Sequence, residues 1–481
     1  MKPEILLLIA IFAPLLGAFL LPVMGKLSPT YRNLLALLLA IIPCAASLAL
    51  LPSVLAGQST VIHYSLPLSI NFSFNADALA VFMASVSSFL SAIIVLYSFG
   101  YINHYENQNE YYFLVVLFLG AMMGLVYSAN LIFLFAFWEI TAIACWRLIG
   151  FFREKEYVQK ADKAFLITVF GALVMLIGFI ILFQLTGSFD LQTIKKVIGN
   201  NPVPDIVVLL ILFGILSKSA TLPFHTWLPD AGVAPSPVTA LLHAAVLVKI
   251  GVYVFARLFV ATMPISVFWH VGVPAIAAAS ALLAAGAALV ETDLKRIIAY
   301  STISQLGFIF LGLATNCTIG IAGGLLYILM HGLAKGGLFL CAGIVEQNTK
   351  TKDIRKLSGL ISSMPITAIA FLLCAFSIMG IPPFGGFFSK YMVIAGSAQG
   401  EPLWITLLFI FGAVMTIIYL FRVFNAVFLG NNSFPTVKEG SATMLFSVAL
   451  LAALSLIIGF LIYYPGSVVQ IIAQSLPGII K

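Results

Sequence analysis

Four lysines, two histidines and one glutamate fall deep inside apolar runs of this chain: Glu139, Lys218, His243, Lys249, His331, Lys335 and Lys390. Each is able to take up or release a proton. A charged side chain at the centre of a membrane costs roughly 2.5–3.5 kcal/mol. Counting Arg147 and Arg422, six basic residues and Glu139 would cost on the order of 20 kcal/mol if all were central and unpaired. That exceeds the roughly 5–15 kcal/mol that keeps a typical protein folded. Some of these groups must reach water at span ends, and the rest must pair or line a hydrated path.

Arg147 and Arg422 fall near span ends and read as snorkelling side chains. Glu139 stands mid-run in "LFAFWEITAIACW". Unpaired, it would protonate, so a lysine on a neighbouring span is expected beside it, and Lys218 is that lysine. A lysine taken out of water holds its proton less tightly, and a nearby carboxylate tightens the hold. Separating Glu139 from Lys218 would favour release; restoring the pair would favour uptake. His331 and Lys335, in "MHGLAKGGLF", are an i,i+4 pair on one helix face and suggest a proton relay. His243 and Lys249 are spaced about 240° apart on a regular helix, so they share a face only where that helix is irregular. His225 is a further candidate for proton uptake. Asp230 is expected to cap or orient the turn that follows it, and Asp293 to lie at a helix end.

The elements that carry these residues are membrane spans. The chain of 481 residues is 62% hydrophobic and 9% charged, against about 25% charged in soluble proteins. Mean hydropathy is +1.12. Runs near the ~20 residues a span needs recur along the whole chain. The fold class is therefore an all-α integral membrane protein of about 14 transmembrane helices. Two spans are interrupted. The seventh reads "LLILFGILSKSATLPF" and the twelfth "LLCAFSIMGIPPFGGFFSKYMVIAG". Each joins a Pro/Gly break to one lysine, Lys218 before its break and Lys390 after. Matching interrupted helices point to two inverted repeats and to an ion path. The expected organisation is residues 1–111 with spans 1–3, 112–260 with spans 4–8, 272–430 with spans 9–13, and 441–481 with span 14. No soluble domain is expected. "LQTIKKVIG" reads as a brief interfacial helix.

Starting from outside, the inward connections hold Lys26, Arg32, Arg153, Lys155, Lys160, Lys163, Lys295, Arg296, Lys350, Lys352, Arg355, Lys356 and Lys438. The outward side holds only Lys2, Lys195, Lys196, Arg257 and Lys481. This asymmetry predicts both termini on the outer side of what is expected to be a prokaryotic cytoplasmic membrane. The net charge of +7 is scattered between apolar runs, which argues against nucleic acid as a partner. Cys44, Cys145, Cys317, Cys341 and Cys374 form no CxxC pair and read as small buried side chains. The N-terminal run lacks a small-x-small cleavage site and carries Glu4, so it reads as the first span rather than a signal peptide.

Several stretches carry a family resemblance. "LPFHTWLPDAGVAPSPVTALLHAAVLVKIGVY", "ETDLKRIIAYSTISQLGF", "MHGLAKGGLFLCAG", "GIPPFGGFFSKY" and "FWEITAIACW" together resemble the antiporter-like subunits of respiratory complex I, membrane-bound hydrogenases and Mrp-type multisubunit cation/proton antiporters. The resemblance covers roughly residues 120–430. It implies fourteen core helices, with inverted repeats over helices 4–8 and 9–13. It also implies that Glu139 and Lys218 are the paired residues, Lys249 the connecting lysine, Lys335 the central one and Lys390 the terminal one. Arg147 departs from the pattern, standing where such chains often have an uncharged residue. His243 together with Lys249 mixes features of different branches. The chain runs only a short way beyond its fourteenth run, so a branch other than the longest, with its lateral amphipathic helix, is expected.

The leading reading is a proton-translocating subunit of a redox-driven membrane complex, complex I-like or hydrogenase-like. The alternative is a subunit of a stand-alone Mrp-type Na⁺/H⁺ antiporter. A transporter for an organic solute would need an enlarged midplane pocket, and a purely structural subunit would leave the lysine row unexplained. No cofactor motif is seen in this chain, so iron–sulfur or nickel–iron centres would belong to partner subunits. The partners implied are homologous antiporter-like subunits, small membrane subunits and a peripheral hydrophilic redox arm.

Overall fold

The computed structural model describes residues 1–65 and 71–476. Lys481, expected on the outer side, lies outside them. Among the described residues, twelve helices are long and apolar enough to cross a membrane. They are α1 (Pro3–Leu27), α2 (Pro29–Leu55), α3 (Ala78–His104), α4 (Gln108–Tyr127), α5 (Leu131–Ile149), α6 (Lys155–Thr186), α9 (Ser236–Val260), α10 (Val267–Val290), α11 (Leu294–Ala314), α12 (Thr318–Thr349), α15 (Leu403–Phe428) and α16 (Ala442–Phe460). Between them lie α7 (Leu191–Ile198), α8 (Asp205–Lys218), α13 (Pro365–Met379) and α14 (Gly385–Gly400), and α17 (Tyr463–Ser475) follows. The stretch "LQTIKKVIG", expected to be a brief helix, forms α7.

Polar side chains set several helix starts. Asp77, Asn130, Asp190 and Asp293 each accept from backbone N–H groups in the first turn of the helix that follows, which satisfies donors left free at a helix start. Asn130 thereby separates α4 from α5, and Asp293 takes the helix-end position read from the sequence. Two isolated β-bridges tie these caps to later loops: Asn130 pairs with Asp190, and Asp293 with Asp353. Both bridges are antiparallel and both close a span of about sixty residues.

The chain is not wholly α. Thr60–Ser65 (β1) and Asn71–Ala76 (β2) form an antiparallel hairpin, with Thr60 opposite Ala76. "NFSFNA", and "IHYS" at the end of β1, alternate apolar with polar residues, the pattern of a half-buried strand. Both segments fall between predicted spans, where only connections are expected.

Ion pairs gather at the end holding most of the expected inward residues. Glu110 meets Arg147 and Arg153; Asp230 meets Lys163 and Arg296; Glu291 meets Arg296; Glu346 meets Lys295; Asp293 meets Lys352. This is the basic end of the molecule. Asp230 thus fastens the turn after the first break, as expected. Arg147 is anchored on Glu110 at 2.5 Å. Arg422 does not simply reach water: it donates to Glu291 O at 2.5 Å and Ala288 O at 3.3 Å, carbonyls left free where α10 ends. At the opposite end, Arg257 is only 8% exposed. It pairs with Asp77 at 2.5 Å beside a cavity of about 320 Å³. Cys44, Cys145, Cys341 and Cys374 are buried, whereas Cys317 is half-buried.

Candidate functional site

Helix α8 stops at Lys218. The next residues break it, with Ala220 in the left-handed region at φ +49°. A break inside a membrane is tolerated only where the protein or cavity water satisfies the freed backbone groups. Here the Trp227 indole donates to Ser217 O at 3.0 Å, and Leu222 N donates to Ser280 Oγ at 3.1 Å. Lys218 is fully buried. Its Nζ donates to Trp138 O at 3.1 Å and lies 5.2 Å from the Trp138 ring centroid.

Glu139 follows Trp138 on α5, so the two charges are brought to one place. They do not form the direct pair expected, because Lys218 is spent on the carbonyl one residue earlier. That carbonyl also accepts from Thr141 Oγ1 at 2.6 Å. Glu139 is half-buried, and its Oε1 is buried without a partner. The pair is thus held apart while still within electrostatic reach. His225 is half-buried in the break, with its Nδ1 buried and unpartnered. It lies near Lys163, whose Nζ donates to Thr226 O at 3.4 Å.

Helix α9 is irregular where the spacing argument required it. Leu241–Ala245 and Ala256–Val260 are π-helical, and Val246 N donates to Leu241 O at 2.9 Å. Wide turns of this kind are frequent at functional sites. His243 sits in the first one, 4.4 Å from the Phe339 ring, with both ring nitrogens unpartnered. Lys249 is fully buried, and its Nζ donates to Ile328 O on α12 at 2.8 Å. Gly332 makes this possible, since a Cβ there would stand 2.5 Å from Lys249 Nζ. His331, also fully buried with both ring nitrogens unpartnered, lies within electrostatic reach of Lys249, Lys335, His243 and Lys390.

Lys335 Nζ donates to Ile298 O at 3.2 Å and Ser301 Oγ at 2.6 Å. From Ser301 a chain of buried side chains continues. Ser301 Oγ and Tyr419 Oη are 2.7 Å apart, Gln305 Nε2 donates to Tyr419 Oη at 3.4 Å, and Tyr327 Oη donates to Gln305 Oε1 at 2.5 Å. Lys390 Nζ lies 5.8 Å from the Tyr327 ring centroid and 4.7 Å from that of Phe308. It donates to Ile378 O at 2.7 Å, a carbonyl freed by the second break. Gly386 lets α14 pass close to the end of α13, since a Cβ there would come within 1.8 Å of Ser377 O.

The structure therefore joins His243, Lys249, His331, Lys335 and Lys390 in one buried group, and sets Glu139 and Lys218 in another. Among the described residues no hydrogen bond links Lys218 to Lys249. Ser301, Gln305, Tyr327 and Tyr419 were missed. The signal was present in "AYSTISQLGF", where Ser301 and Gln305 stand four apart, with Thr302 and Ser304 between them, inside a membrane span. Among the described residues, no cluster of three or more His, Cys, Asp or Glu side chains could hold a metal ion.

Comparison with known proteins decides the family. A family model described as NADH:quinone oxidoreductase/Mrp antiporter, TM, matches residues 128–416. A second, for the N-terminus of chain 5 of complex I, matches residues 63–112. The chain belongs to the antiporter-like subunit family. It is 32% identical to the A1 subunit of the Na(+)/H(+) antiporter of Staphylococcus haemolyticus, over 98% of this chain and 62% of that protein. It is 34% identical to a Na(+)/H(+) antiporter subunit of Alkalihalophilus pseudofirmus, over 83% of this chain and 54% of the relative. This family member thus spans less than two thirds of the length of those relatives. Its fold matches a chain of the Mrp complex from a Dietzia species, with TM-score 0.89, 21% identity, and 99% and 98% of the two chains covered. It also matches a chain of the archaeal membrane-bound sulfane sulfur reductase, with TM-score 0.89, 24% identity and coverage of 98% and 97%. The match to a chain of Thermus thermophilus respiratory complex I has TM-score 0.85, 23% identity and coverage of 98% and 99%.

Proposed function

We propose that this chain moves protons across the membrane through the row Glu139, Lys218, His243, Lys249, His331, Lys335 and Lys390, with His225 as a further point of proton uptake. The observation that carries this reading is the state of the four lysines. Each is at least 96% buried, since the most exposed, Lys390, shows only 4%. Each rests on carbonyl or hydroxyl oxygens, and among the described residues none forms an ion pair. Such groups are costly as fixed charges and useful as proton carriers.

In this reading the twelve long helices and the two interrupted ones, α8 with its break and α13–α14, make fourteen crossings. Residues 112–260 and 272–430 form inverted repeats after the 1–111 segment, with 441–481 beyond. The matched bridges Asn130–Asp190 and Asp293–Asp353 support this, since corresponding positions would be tied in the same way in each repeat. The basic end faces the cytoplasm and the termini face outward.

The chain works within a larger complex in a prokaryotic cytoplasmic membrane. Its neighbours are homologous antiporter-like subunits and small membrane subunits, with a peripheral hydrophilic arm carrying iron–sulfur or nickel–iron centres. The second reading, a subunit of an Mrp-type Na⁺/H⁺ antiporter, is favoured by the names of the two relatives above. Isolation of the tagged chain in mild detergent separates the two. Iron–sulfur or nickel–iron proteins alongside it support a redox-driven pump. Sister antiporter-like chains and small membrane proteins alone support the antiporter.

Both readings share one test. Lys218→Ala and Glu139→Gln, in assembled complexes in sealed vesicles, should each slow proton flux by about tenfold or more. Parent flux in both variants would sink the mechanism.

A further inference from the structure

The four lysines of the row are not seated alike. Lys218 and Lys390, the two beside the breaks, each lie over an aromatic face as well as on a carbonyl. Lys218 Nζ stands 5.2 Å from the Trp138 ring centroid while it donates to Trp138 O. Lys390 Nζ stands 4.7 Å from the Phe308 centroid and 5.8 Å from that of Tyr327 while it donates to Ile378 O. Among the described residues, neither Lys249 nor Lys335 lies over a ring. The rings come from helices other than the lysine's own: Trp138 from α5, Phe308 from α11 and Tyr327 from α12. All three are fully buried. Gly380, where α13 ends, leaves room for the Lys390 stem, since a Cβ there would stand 3.1 Å from Lys390 Cδ.

A carbonyl accepts a hydrogen bond from an ammonium and from a neutral amine alike. A ring face attracts only the ammonium, because the attraction is between a positive charge and the negative face of the π system, and it is strongest where water is excluded. The carbonyl therefore fixes where the amine sits, and the ring selects its protonation state. Trp138 carries a further sign of this. Its Nε1 is buried without a partner, whereas a buried indole N–H normally finds one, so no hydrogen bond accounts for a tryptophan at this position. Its face toward Lys218 does. Among the described residues, the titratable groups within electrostatic reach of Lys218 are Glu139 and Cys145, both on α5. Lys390 faces His331 and Lys335 on α12, beside Tyr327.

We propose that Trp138, and Phe308 together with Tyr327, are positioning residues that hold Lys218 and Lys390 in their charged form at the two breaks. This rests on the reading of the row as a proton path. A lysine on such a seat keeps its proton without a carboxylate beside it, and gives it up when the amine moves off the ring. At the first break the ring thus limits release while Lys218 is out of contact with Glu139. Lys249 and Lys335 have no ring and hand a proton on more readily. Protons wait on the two seated lysines and pass through the two unseated ones.

The test uses the full complex in sealed vesicles, with proton flux under an imposed potential read by a pH-sensitive dye across a pH series. A lysine that no longer keeps its proton runs empty as pH rises. Trp138→Leu and Phe308→Leu should therefore each move the alkaline midpoint of flux down by about one pH unit. Trp138→Phe should recover part of that shift and Phe308→Tyr most of it, because a ring face is kept. Loss of packing alone would lower the thermal midpoint and the yield of assembled complex, and would leave the alkaline midpoint of flux in place. Should Trp138→Leu fail to assemble, Trp138→Phe keeps an aromatic ring in the space and still weakens the face, and Phe308→Leu tests the second seat independently. Parent alkaline midpoints in the Trp138 and Phe308 variants, with flux lost in Lys218→Ala, overturn the seats and leave the row standing. Parent flux in Lys218→Ala as well overturns both.

Discussion

A buried lysine needs an acceptor, and the four in this row find different ones. Lys218 takes a carbonyl of another helix, Lys249 likewise, Lys335 a carbonyl and a hydroxyl, and Lys390 a carbonyl freed by the break in its own span. Neutral oxygens satisfy the amine's donors without fixing its charge, as a carboxylate would. Carboxylates are used instead at the basic end, where charges stay fixed. Asp230 shows this. Burial raises its proton affinity, but hydrogen bonds and charge from Lys163 and Arg296 outweigh that and hold the carboxyl below its ordinary value. A depressed carboxylate stabilises the fold above its unfolded pKa of about 3.9, and the contribution is lost as pH falls through the folded value. Asp230→Asn should therefore lower the thermal midpoint of the assembled protein at pH near 7. The gap to the parent should close once pH falls below the carboxyl's lowered folded value. A gap that persists there would mean the carboxylate's charge is not what anchors the turn.

At the scale of elements, irregularity does what regular helices cannot. A regular α9 would turn His243 and Lys249 about 240° apart. The π-helical turn at Leu241–Ala245 changes that relation and leaves both facing α12, where His331 is within reach of each. Gly332 is the matching device on α12. Gly332→Ala should push Lys249 Nζ off Ile328 O, since its Cβ would lie 2.5 Å from that nitrogen. We expect assembly to persist and flux to fall about tenfold; Gly332→Ala with parent flux would show that the contact is dispensable. The residue types that mark both breaks were legible as Pro/Gly clusters beside a lysine. The π turns were not, because no residue type marks a widened turn. The hairpin was legible in alternation but lay where only loops were sought. The missing direct Glu139–Lys218 pair was not legible at all, since spacing along two separate helices does not say which carbonyl lies between them.

At the scale of the whole molecule, the most apolar span and the most buried ones are different helices. The strongly apolar α6 leaves much of its surface exposed, whereas the less apolar α11 and α12 are almost wholly buried. In lipid the apolar faces turn outward and polar side chains find partners inside, between helices. His331 and Lys335 sit on α12 for that reason, beside the Ser and Gln side chains of α11, and these internal polar residues in a hydrophobic chain were the readable sign of it. The sequence did not show how Lys335 and Lys390 connect. In the structure, Ser301 and Gln305 of α11, Tyr327 of α12 and Tyr419 of α15 bridge three helices between Lys335 and Lys390. Hydroxyls both donate and accept, so Ser301 and Tyr419 are able to pass a proton arriving from Lys335, whereas the Gln305 amide nitrogen only donates and holds Tyr419 Oη in place. Tyr419→Phe keeps the ring and removes that step. If charge moves along these side chains, Tyr419→Phe should slow flux about tenfold, and Ser301→Ala should add little to it, because the two act in series. If instead the network only packs the helices, Tyr419→Phe would lower thermal stability while leaving flux per assembled complex at the parent level, and the connection between Lys335 and Lys390 would have to run through water.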